Sequence, residues 1–422
     1  MRDDGEQLCT LQGIELLPFL GGQLVPRERD VPLHAFTFHA GVDAGEFLLR
    51  FSARRLCVPR EVTHRYVDPL AQVWLGAARR IGLRVVRTPD TYASTDGRGA
   101  LAIAVDAELD ADDSLGQMIF HELCHSLVEG EDSFAAPDWG MDNTGPEHDF
   151  REHACQRVQW VLAGRYGLRA VFAPTTDFRA FWDTLSGDVL ADRTDPSVQL
   201  AIAGLRRAAL PPWAPALAEA LAASAQIAVA AAPFAARPTT GELAPLWLGV
   251  TAPPAPHPTG LPAGDGTGTC ATCAWRFDRK PDDRRARSSA EGGAEVDRRG
   301  ASRCRQADAK VDPTWPACER YEAALDCQTC GACCRAAYDA VDVAKRDPMV
   351  KKQPTYLEDR GTYYQIKRKG DRCSALQGGV VVDGKTSRYA CEIYDDRPRT
   401  CRDFTLGSAH CLTARRRVGL SL

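Results

Sequence analysis

The stretch GQMIFHELCHSLVEG, residues 116–130, contains the clearest chemical pattern in the sequence. His121 and His125 are four residues apart, so on a helix both imidazoles project from one face and can bind one metal ion. Glu122 follows the first histidine, where it can polarise a metal-bound water and act as a general base. The pattern predicts a helix that carries a catalytic metal site.

A metal ion held by two histidines needs a third protein ligand and an open position for substrate. Candidates lie in GPEHDFREHACQRVQWVLAG, residues 145–164, which has helical periodicity. Glu152, Gln156 and Trp160 follow one another at helical spacing, on a face separate from the apolar stripe. We expect Glu152 to be the third ligand, with His148, one turn earlier on the same line, as the next candidate. His153, at the edge of that face, also remains open.

Two histidines and one carboxylate do not identify the metal. The same ligand set describes the zinc site of many peptidases and the facial triad of non-haem iron oxygenases. Iron and zinc both remain open at this point.

A longer pattern resembles elongation factor P hydroxylase over roughly residues 116–178. It consists of His121-Glu-x-x-His125, then Asp138-Trp139-Gly140, then Glu152-x3-Gln156-x3-Trp160. That family hydroxylates a modified lysine side chain at a metal site of this type. The resemblance implies that His121, His125 and Glu152 bind iron, that Gln156 and Trp160 line or brace the pocket, and that the substrate is a protein.

The cysteines are unevenly distributed along the chain: four precede residue 270 and twelve lie within 270–411. In a reducing compartment such a concentration favours metal ligation over disulfides. A first module has four cysteines, which fit one tetrahedral zinc or iron ion: Cys270, Cys273, Cys304 and Cys318. A second module has eight, which could bind two zinc ions, or an iron–sulfur cluster and one further metal: Cys327, Cys330, Cys333, Cys334, Cys373, Cys391, Cys401 and Cys411.

The second module begins with CQTCGACC and later contains IYDDRPRTCR. Both segments are similar to the CxxCxxCC family of zinc- or iron-chelating cysteine-cluster domains, whose relatives include the flagellin lysine N-methylase. The resemblance covers residues 327–411 and implies that these cysteines bind zinc or iron.

The predicted fold class is α+β: a metalloenzyme-like domain with mostly helices and a small sheet, followed by small irregular cysteine-rich modules. Helical periodicity covers residues 62–83, 114–128 and 148–165, and strand patterns cover RVVRTP (84–89) and 99–109. Asp112 or Asp113 can cap the helix that carries the histidines, and Gly130 can end it.

Four regions follow from this organisation. Residues 1–231 form the metalloenzyme-like domain, and the Pro/Ala/Gly-rich residues 232–268 are expected to be a linker. Residues 269–322 form the four-cysteine module, interrupted by a polar insertion, DRKPDDRRARSSAEGGAEVDRR, that we expect to be flexible. Residues 323–422 form the eight-cysteine domain.

Composition limits the choice of partners and compartment. A net charge of −4 and a pI near 6.2 argue against a nucleic-acid or anionic-membrane binder. The longest apolar run, residues 214–236, is mostly alanine and contains Glu219, so it favours a water-exposed helix over a membrane span. The first residues lack the apolar core of a secretory signal, and a cytoplasmic location is expected. The oligomeric state stays open.

Three functions fit these patterns. The first is an iron-dependent hydroxylase of a protein side chain, for which a cysteine-bound iron–sulfur cluster would supply electrons. The second is a zinc metallopeptidase with structural zinc modules, in which Glu122 activates water. The third is a non-enzymatic protein that chelates zinc or iron.

Overall fold

The computed structural model describes residues 63–141, 149–175, 178–278, 302–382 and 385–422. The fold and the candidate sites described below belong to one compact unit, Val67–Leu422. Two features that the sequence singled out lie outside the described residues: His148, and the polar insertion after Asp278.

Helices dominate the first part of this unit. Helices α1 to α6 span Pro69–Ile81, Leu115–Glu129, Asp149–Gly164, Arg179–Trp182, Pro196–Arg207 and Ala216–Ala231. Strands β1 to β3 span Arg84–Thr88, Ala93–Thr95 and Ala100–Ala104. The central strand β3 pairs in parallel with β1 and antiparallel with β2.

Short strands and helical turns make up the cysteine-rich part. Strands β4 to β6 span Arg276–Asp278, Ser302–Cys304 and Ala309–Lys310, and form one antiparallel sheet. Strands β7 to β15 span Asp342–Val343, Leu357–Asp359, Tyr364–Ile366, Arg368–Lys369, Arg372–Cys373, Leu376–Gln377, Val381–Val382, Lys385–Thr386 and Ala390–Cys391. Helical segments span Cys327–Cys330, Met349–Lys352, Arg399–Arg402 and Ala409–Arg417. The mixture of helices and small sheets confirms the α+β class.

Local capping sets the bounds of the helix that carries the histidines. Ser114 Oγ accepts from the backbone N–H of Gln117, so Ser114 is the N-cap of α2. The predicted cap at Asp112 or Asp113 is wrong, because the Asp113 carboxylate instead accepts from the hydroxyls of Tyr92 and Thr175. Gly130 ends the helix with a φ of +97°, as predicted.

Helix α2 is the centre of the core, and α1, α3 and α5 pack around it. The rings of Trp74 and Phe172 pack against Phe120 of α2, each at a centroid distance of 5.0 Å. Because α2 and α3 are held by apolar packing on several sides, the relative position of their ligand-bearing faces is fixed by the core.

The segment Ala216–Phe234 is long and apolar enough to cross a membrane by length and composition. In the structure α6, which forms most of it, packs against α1. Trp74 Nε1 donates to Ser224 Oγ at 3.0 Å, and Arg80 pairs with Glu219 at 2.6 Å.

The predicted linker makes defined contacts on both sides. The Thr251 N–H donates to the Gly167 carbonyl of the helical domain at 3.0 Å. Farther on, the Gly264 N–H donates to the Ala317 carbonyl of the four-cysteine module at 3.1 Å. This segment therefore packs between the helical domain and the module.

The eight-cysteine domain also contacts the helical domain. The Thr386 N–H donates to the Thr194 carbonyl at 2.9 Å, just before α5 begins. Leu422, at the end of the domain, packs against the core of the helical domain. Since α5 packs directly on α3, the cysteine-rich domain lies one helix away from the element that carries Glu152.

Candidate functional site

Three side chains from α2 and α3 converge on one point. The Nε2 atoms of His121 and His125 are 3.1 Å apart. Glu152 places one carboxylate oxygen 3.1 Å from His125 Nε2 and the other 3.7 Å from His121 Nε2. These are the spacings of donor atoms that share one metal ion, and the three side chains are only 5–13% exposed.

Gln159 orients His121. The Gln159 Oε1 atom accepts from His121 Nδ1 at 2.9 Å, so Nδ1 carries a proton and Nε2 is the ring nitrogen that faces the other ligands and can bind a metal ion. The Gln159 amide nitrogen donates in turn to the Phe172 carbonyl, so the amide cannot easily rotate. A second glutamine supports the carboxylate, because Gln156 Nε2 donates to Glu152 Oε1 at 3.2 Å.

The electrostatics of these ligands are strongly coupled. Burial lowers the pKa of His121, but the charges of Cys155 and Glu152 outweigh it and raise the pKa to about 9. The pKa of His125 is likewise raised well above its ordinary value, against the effect of burial. Burial raises the pKa of Glu152, but the two histidines outweigh it and lower the pKa to about 2. Glu152 is therefore an anionic ligand at neutral pH.

Cys155 is a fourth donor at this point, and the sequence reasoning missed it. In the described part of the chain, His121, His125, Glu152 and Cys155 form the group whose ligand atoms all lie within 4.8 Å of one another. Cys155 Sγ is 3.9 Å from His121 Nδ1. Burial, followed by a hydrogen bond with Cys124, raises the pKa of the Cys155 thiol well above its ordinary value.

Glu122 has a specific partner, the indole of Trp139. Trp139 Nε1 donates to Glu122 Oε2 at 2.8 Å, and both side chains are buried. Glu122 does not belong to the group of four close ligand atoms. The geometry therefore fixes one oxygen of the predicted general base to a protein donor.

The turn that carries Trp139 is conformationally strained. Asp138 and Trp139 have φ values of +47° and +57°, a region that non-glycine residues rarely adopt. Thr95 of β2 holds the turn: its N–H donates to Asp138 Oδ1 at 3.0 Å, and its hydroxyl accepts from the Trp139 N–H at 3.2 Å. The sheet thus positions a strained turn that delivers an indole N–H to Glu122.

Trp160 lies apart from the ligands. It is eight residues after Glu152, about 12 Å along the helix axis. Its ring packs against Trp182 at 5.0 Å and beneath the Arg169 guanidinium at 4.3 Å. Trp160 is therefore not among the close donor atoms, and its predicted role of lining or bracing the pocket stays a prediction. Cys155 and Gln159 are the further α3 residues that reach His121.

The four cysteines of the first module line one small cavity: Cys270, Cys273, Cys304 and Cys318. Burial raises the pKa of Cys270 and of Cys318 to about 11, and the neighbouring cysteines add to the rise. Backbone N–H groups oppose this effect, from Trp275 and Glu322 at Cys273 and from Arg320 at Cys318. Sulfurs that face one cavity and accept backbone N–H groups are suited to bind metal as thiolates.

The eight cysteines of the second module fall into two groups. Cys334, Cys373, Cys391 and Cys401 contact one apolar cluster, which we call the sheet group. We call the other four the terminal group: Cys327, Cys330, Cys333 and Cys411. Burial raises the pKa of Cys327, and the charges of the other three cysteines in this group add to the rise, which brings the pKa to about 11.

The two groups meet at adjacent residues. The sulfurs of Cys333 and Cys334 are 3.9 Å apart. Gly331, with a φ of +57°, ends the helical turn Cys327–Cys330 and permits the tight backbone between the second and third cysteines. The CxxCxxCC segment therefore gives three sulfurs to one group and one sulfur to the other.

The comparisons with known proteins concern this last region. Residues 326–415 match the family model CxxCxxCC, described as "Putative zinc- or iron-chelating domain". No curated protein and no solved structure matches the chain. The family match and the donor group on α2 and α3 together support metal binding by this protein.

Proposed function

We propose that the protein is a metal-dependent hydroxylase of a protein side chain, with iron bound by His121, His125 and Glu152. The observation that carries the proposal is the convergence of two imidazole nitrogens and one carboxylate within 3.1–3.7 Å. The pattern resemblance to elongation factor P hydroxylase supports the reaction type and the protein substrate. Iron held by such a triad would supply the activation of dioxygen for C–H hydroxylation.

The chain's own residues prepare the site for a cation. The Glu152 carboxylate supplies the negative charge, and Gln156 holds one of its oxygens through a hydrogen bond. Gln159 keeps the Nε2 lone pair of His121 directed at the shared point. His125 is buried and the side chains of His121 and Glu152 are only 13% exposed, so water screens these interactions less than it would at the surface.

Hydroxylation by dioxygen places one oxygen atom in the product and reduces the other to water, which takes two electrons and two protons, and we propose that the cysteine-rich domain relays these electrons one at a time from an external one-electron donor. The two four-cysteine groups could bind an iron–sulfur cluster and a second metal. Contact between this domain and the segment leading into α5, which packs on α3, supports the link. If the reduced domain fails to reduce the iron site in the intact chain, this part of the proposal is wrong.

The position of Glu122 favours a hydroxylase over a zinc peptidase. A peptidase needs this carboxylate free to take a proton from metal-bound water. Here Trp139 Nε1 donates to one of its oxygens at 2.8 Å, so one of the two carboxylate oxygens is already occupied by a protein donor.

A second candidate function rests on Cys155. If its sulfur joins the three other ligands, the coordination shell is complete, as in sites that hold a metal without catalysis. The protein would then chelate or deliver zinc or iron, with no open position for substrate.

The experiment that separates these functions uses nitric oxide as a probe of open coordination. Anaerobic full-length protein is loaded with ferrous iron and exposed to nitric oxide. The hydroxylase proposal predicts an iron–nitrosyl electron paramagnetic resonance signal that disappears in His121→Ala and Glu152→Ala and persists in Cys155→Ala. A signal that appears only after Cys155→Ala supports the chelator. Casein hydrolysis by zinc-loaded protein that Glu122→Gln abolishes supports the peptidase.

A further inference from the structure

His257 lies in the Pro/Gly-rich segment that the sequence predicts to be a linker, yet it is 4% exposed. It lines the same cavity as the four cysteines of the first module. Its ring meets the Trp315 ring edge-on at a centroid distance of 5.6 Å. A histidine buried in a linker beside four thiols needs a chemical explanation.

The backbone around His257 holds the ring in place. The His257 N–H donates to the Leu261 carbonyl at 2.8 Å, and the Gly260 N–H donates to the His257 carbonyl at 2.7 Å. Gly260 has a φ of +82°, which a tight turn of this kind requires. Residues 257–261 therefore form a closed turn that presents the imidazole to the module.

Hydrogen bonding defines the protonation of the two ring nitrogens. The Thr259 backbone N–H points at His257 Nδ1, with a nitrogen–nitrogen distance of 3.2 Å. A backbone N–H can only donate, so Nδ1 is the acceptor and a neutral ring carries its proton on Nε2. The Thr259 hydroxyl also lies 2.7 Å from Nδ1. Nε2 is 3.4 Å from Cys270 Sγ, a distance suited to an N–H donor and a sulfur acceptor.

We propose that the first module is a four-thiolate metal site, for one zinc-type ion, in which His257 donates its Nε2–H to the Cys270 sulfur. A hydrogen bond to a ligand thiolate withdraws charge from the sulfur, which makes the metal-bound thiolate less nucleophilic and holds it in place. His257 is thus a positioning residue and Cys270 is the ligand. The family match begins at residue 326 and does not include this module.

The test follows each cysteine separately in the full-length chain. Protein is loaded with zinc, exposed to an alkylating reagent for timed intervals, and digested for mass spectrometry of individual cysteine peptides. In the wild-type chain, zinc is expected to protect Cys270, Cys273, Cys304 and Cys318 together. Cys304→Ser should expose the other three and remove one zinc per chain, while the protection of Cys373 persists.

The role of His257 has a distinct signature. In His257→Ala the zinc content is expected to persist at saturating metal, with affinity at this site about 10–100-fold weaker. Alkylation of Cys270 should accelerate selectively relative to Cys273 and Cys304. His257→Gln, whose side-chain amide can place an N–H near the same position, should restore the slow rate. His64→Ala, at an exposed histidine, should leave all rates unchanged.

Three results would overturn the proposal. If wild-type zinc does not protect the four cysteines, there is no metal site in the module. If His257→Ala removes one zinc and exposes all four cysteines equally at saturating metal, His257 is a ligand or a structural residue. If His257→Ala changes neither the affinity nor the Cys270 rate, the hydrogen bond has no effect on the site. Each result leaves the site on α2 and α3 untouched.

Discussion

The site on α2 and α3 and the cysteine modules place metal ligands in opposite ways. In the first, three ligands project from two long helices that are packed into a core with Trp74, Phe120 and Phe172. In the second, most ligands come from turns, strands and helical segments of two to four residues beside small apolar clusters, and Cys411 comes from a nine-residue helix. Such segments bury too little apolar surface to fold on that basis alone.

The difference concerns what the metal contributes. Helix packing brings His121, His125 and Glu152 together, so these ligands are in position before a metal ion binds. In the modules the metal replaces part of the missing core, and binding free energy becomes folding free energy. We therefore expect the two regions to respond differently to metal loss.

Removal of metal should have the largest effect on folding. Chelation under reducing conditions is expected to unfold the cysteine-rich part of the chain and leave α1–α6 folded, because structural zinc contributes about 10–16 kcal/mol to small domains. Hydrogen exchange, read peptide by peptide, measures both regions in one sample. Loss of protection in α2 together with the modules, or retention of protection in both, would contradict the contrast.

Cysteine substitutions test the division of the second module. Cys373→Ser should remove the metal of the sheet group. The double variant with Cys391→Ser should lose no further metal, because both cysteines belong to that group. Combining Cys373→Ser with Cys327→Ser should remove both metals. Metal analysis per chain measures this; equal metal content in the two double variants would show that the division into groups is wrong.

Loss of the hydrogen bond between Gln159 and His121 should have a smaller effect, confined to the helical site. Gln159→Leu is expected to weaken metal affinity about 10–100-fold, because His121 Nδ1 loses its acceptor. Gln117→Leu is the matched control, since Gln117 is also buried and donates to a backbone carbonyl, that of Ala173. Competition with a metal indicator measures the affinity; equal losses in both variants would show a packing effect.

Loss of the Trp139 indole N–H should have the smallest effect, a reduced local stability of α2. Trp139→Phe removes the indole N–H that donates to Glu122 and should reduce the local stability of α2 by about 1–3 kcal/mol. Trp213→Phe is the comparison, because Trp213 Nε1 donates at 2.8 Å to the neutral hydroxyl of Ser126 and should cost less. Hydrogen exchange of the α2 amides measures the loss of local stability in each of the two variants. A larger loss for Trp213→Phe would contradict the weight given to the hydrogen bond between Trp139 and Glu122.

Most of the correct predictions from the sequence came from helical periodicity. It located α2 and α3, the facing pair His121 and His125, and Glu152 on the second helix. The same periodicity could have found Gln159: at 100° per residue, position i+7 lies about 20° from Glu152, whereas Trp160 at i+8 lies about 80° away.

Where periodicity is absent, the sequence could not assign partners. The cysteines of the two groups lie on separate elements that share no periodic pattern, so the order of the cysteines does not show that Cys411 joins Cys327 while Cys334 joins Cys373. His257 was missed for the same reason, because a Pro/Gly-rich segment has no repeating face. The cap at Ser114 was missed because the aspartate next to it is an equally good cap by residue type.

The most direct test of the central claim is Mössbauer spectroscopy of protein grown with the Mössbauer-active iron isotope and purified without air, with acid-labile sulfide measured on the same sample. We predict two iron environments: mononuclear ferrous iron with nitrogen and oxygen ligands, lost in His121→Ala, and a sulfur-ligated cluster, lost in Cys373→Ser or in Cys327→Ser. A wild-type sample that contains zinc alone, or iron whose spectrum is unchanged by His121→Ala, would contradict the account.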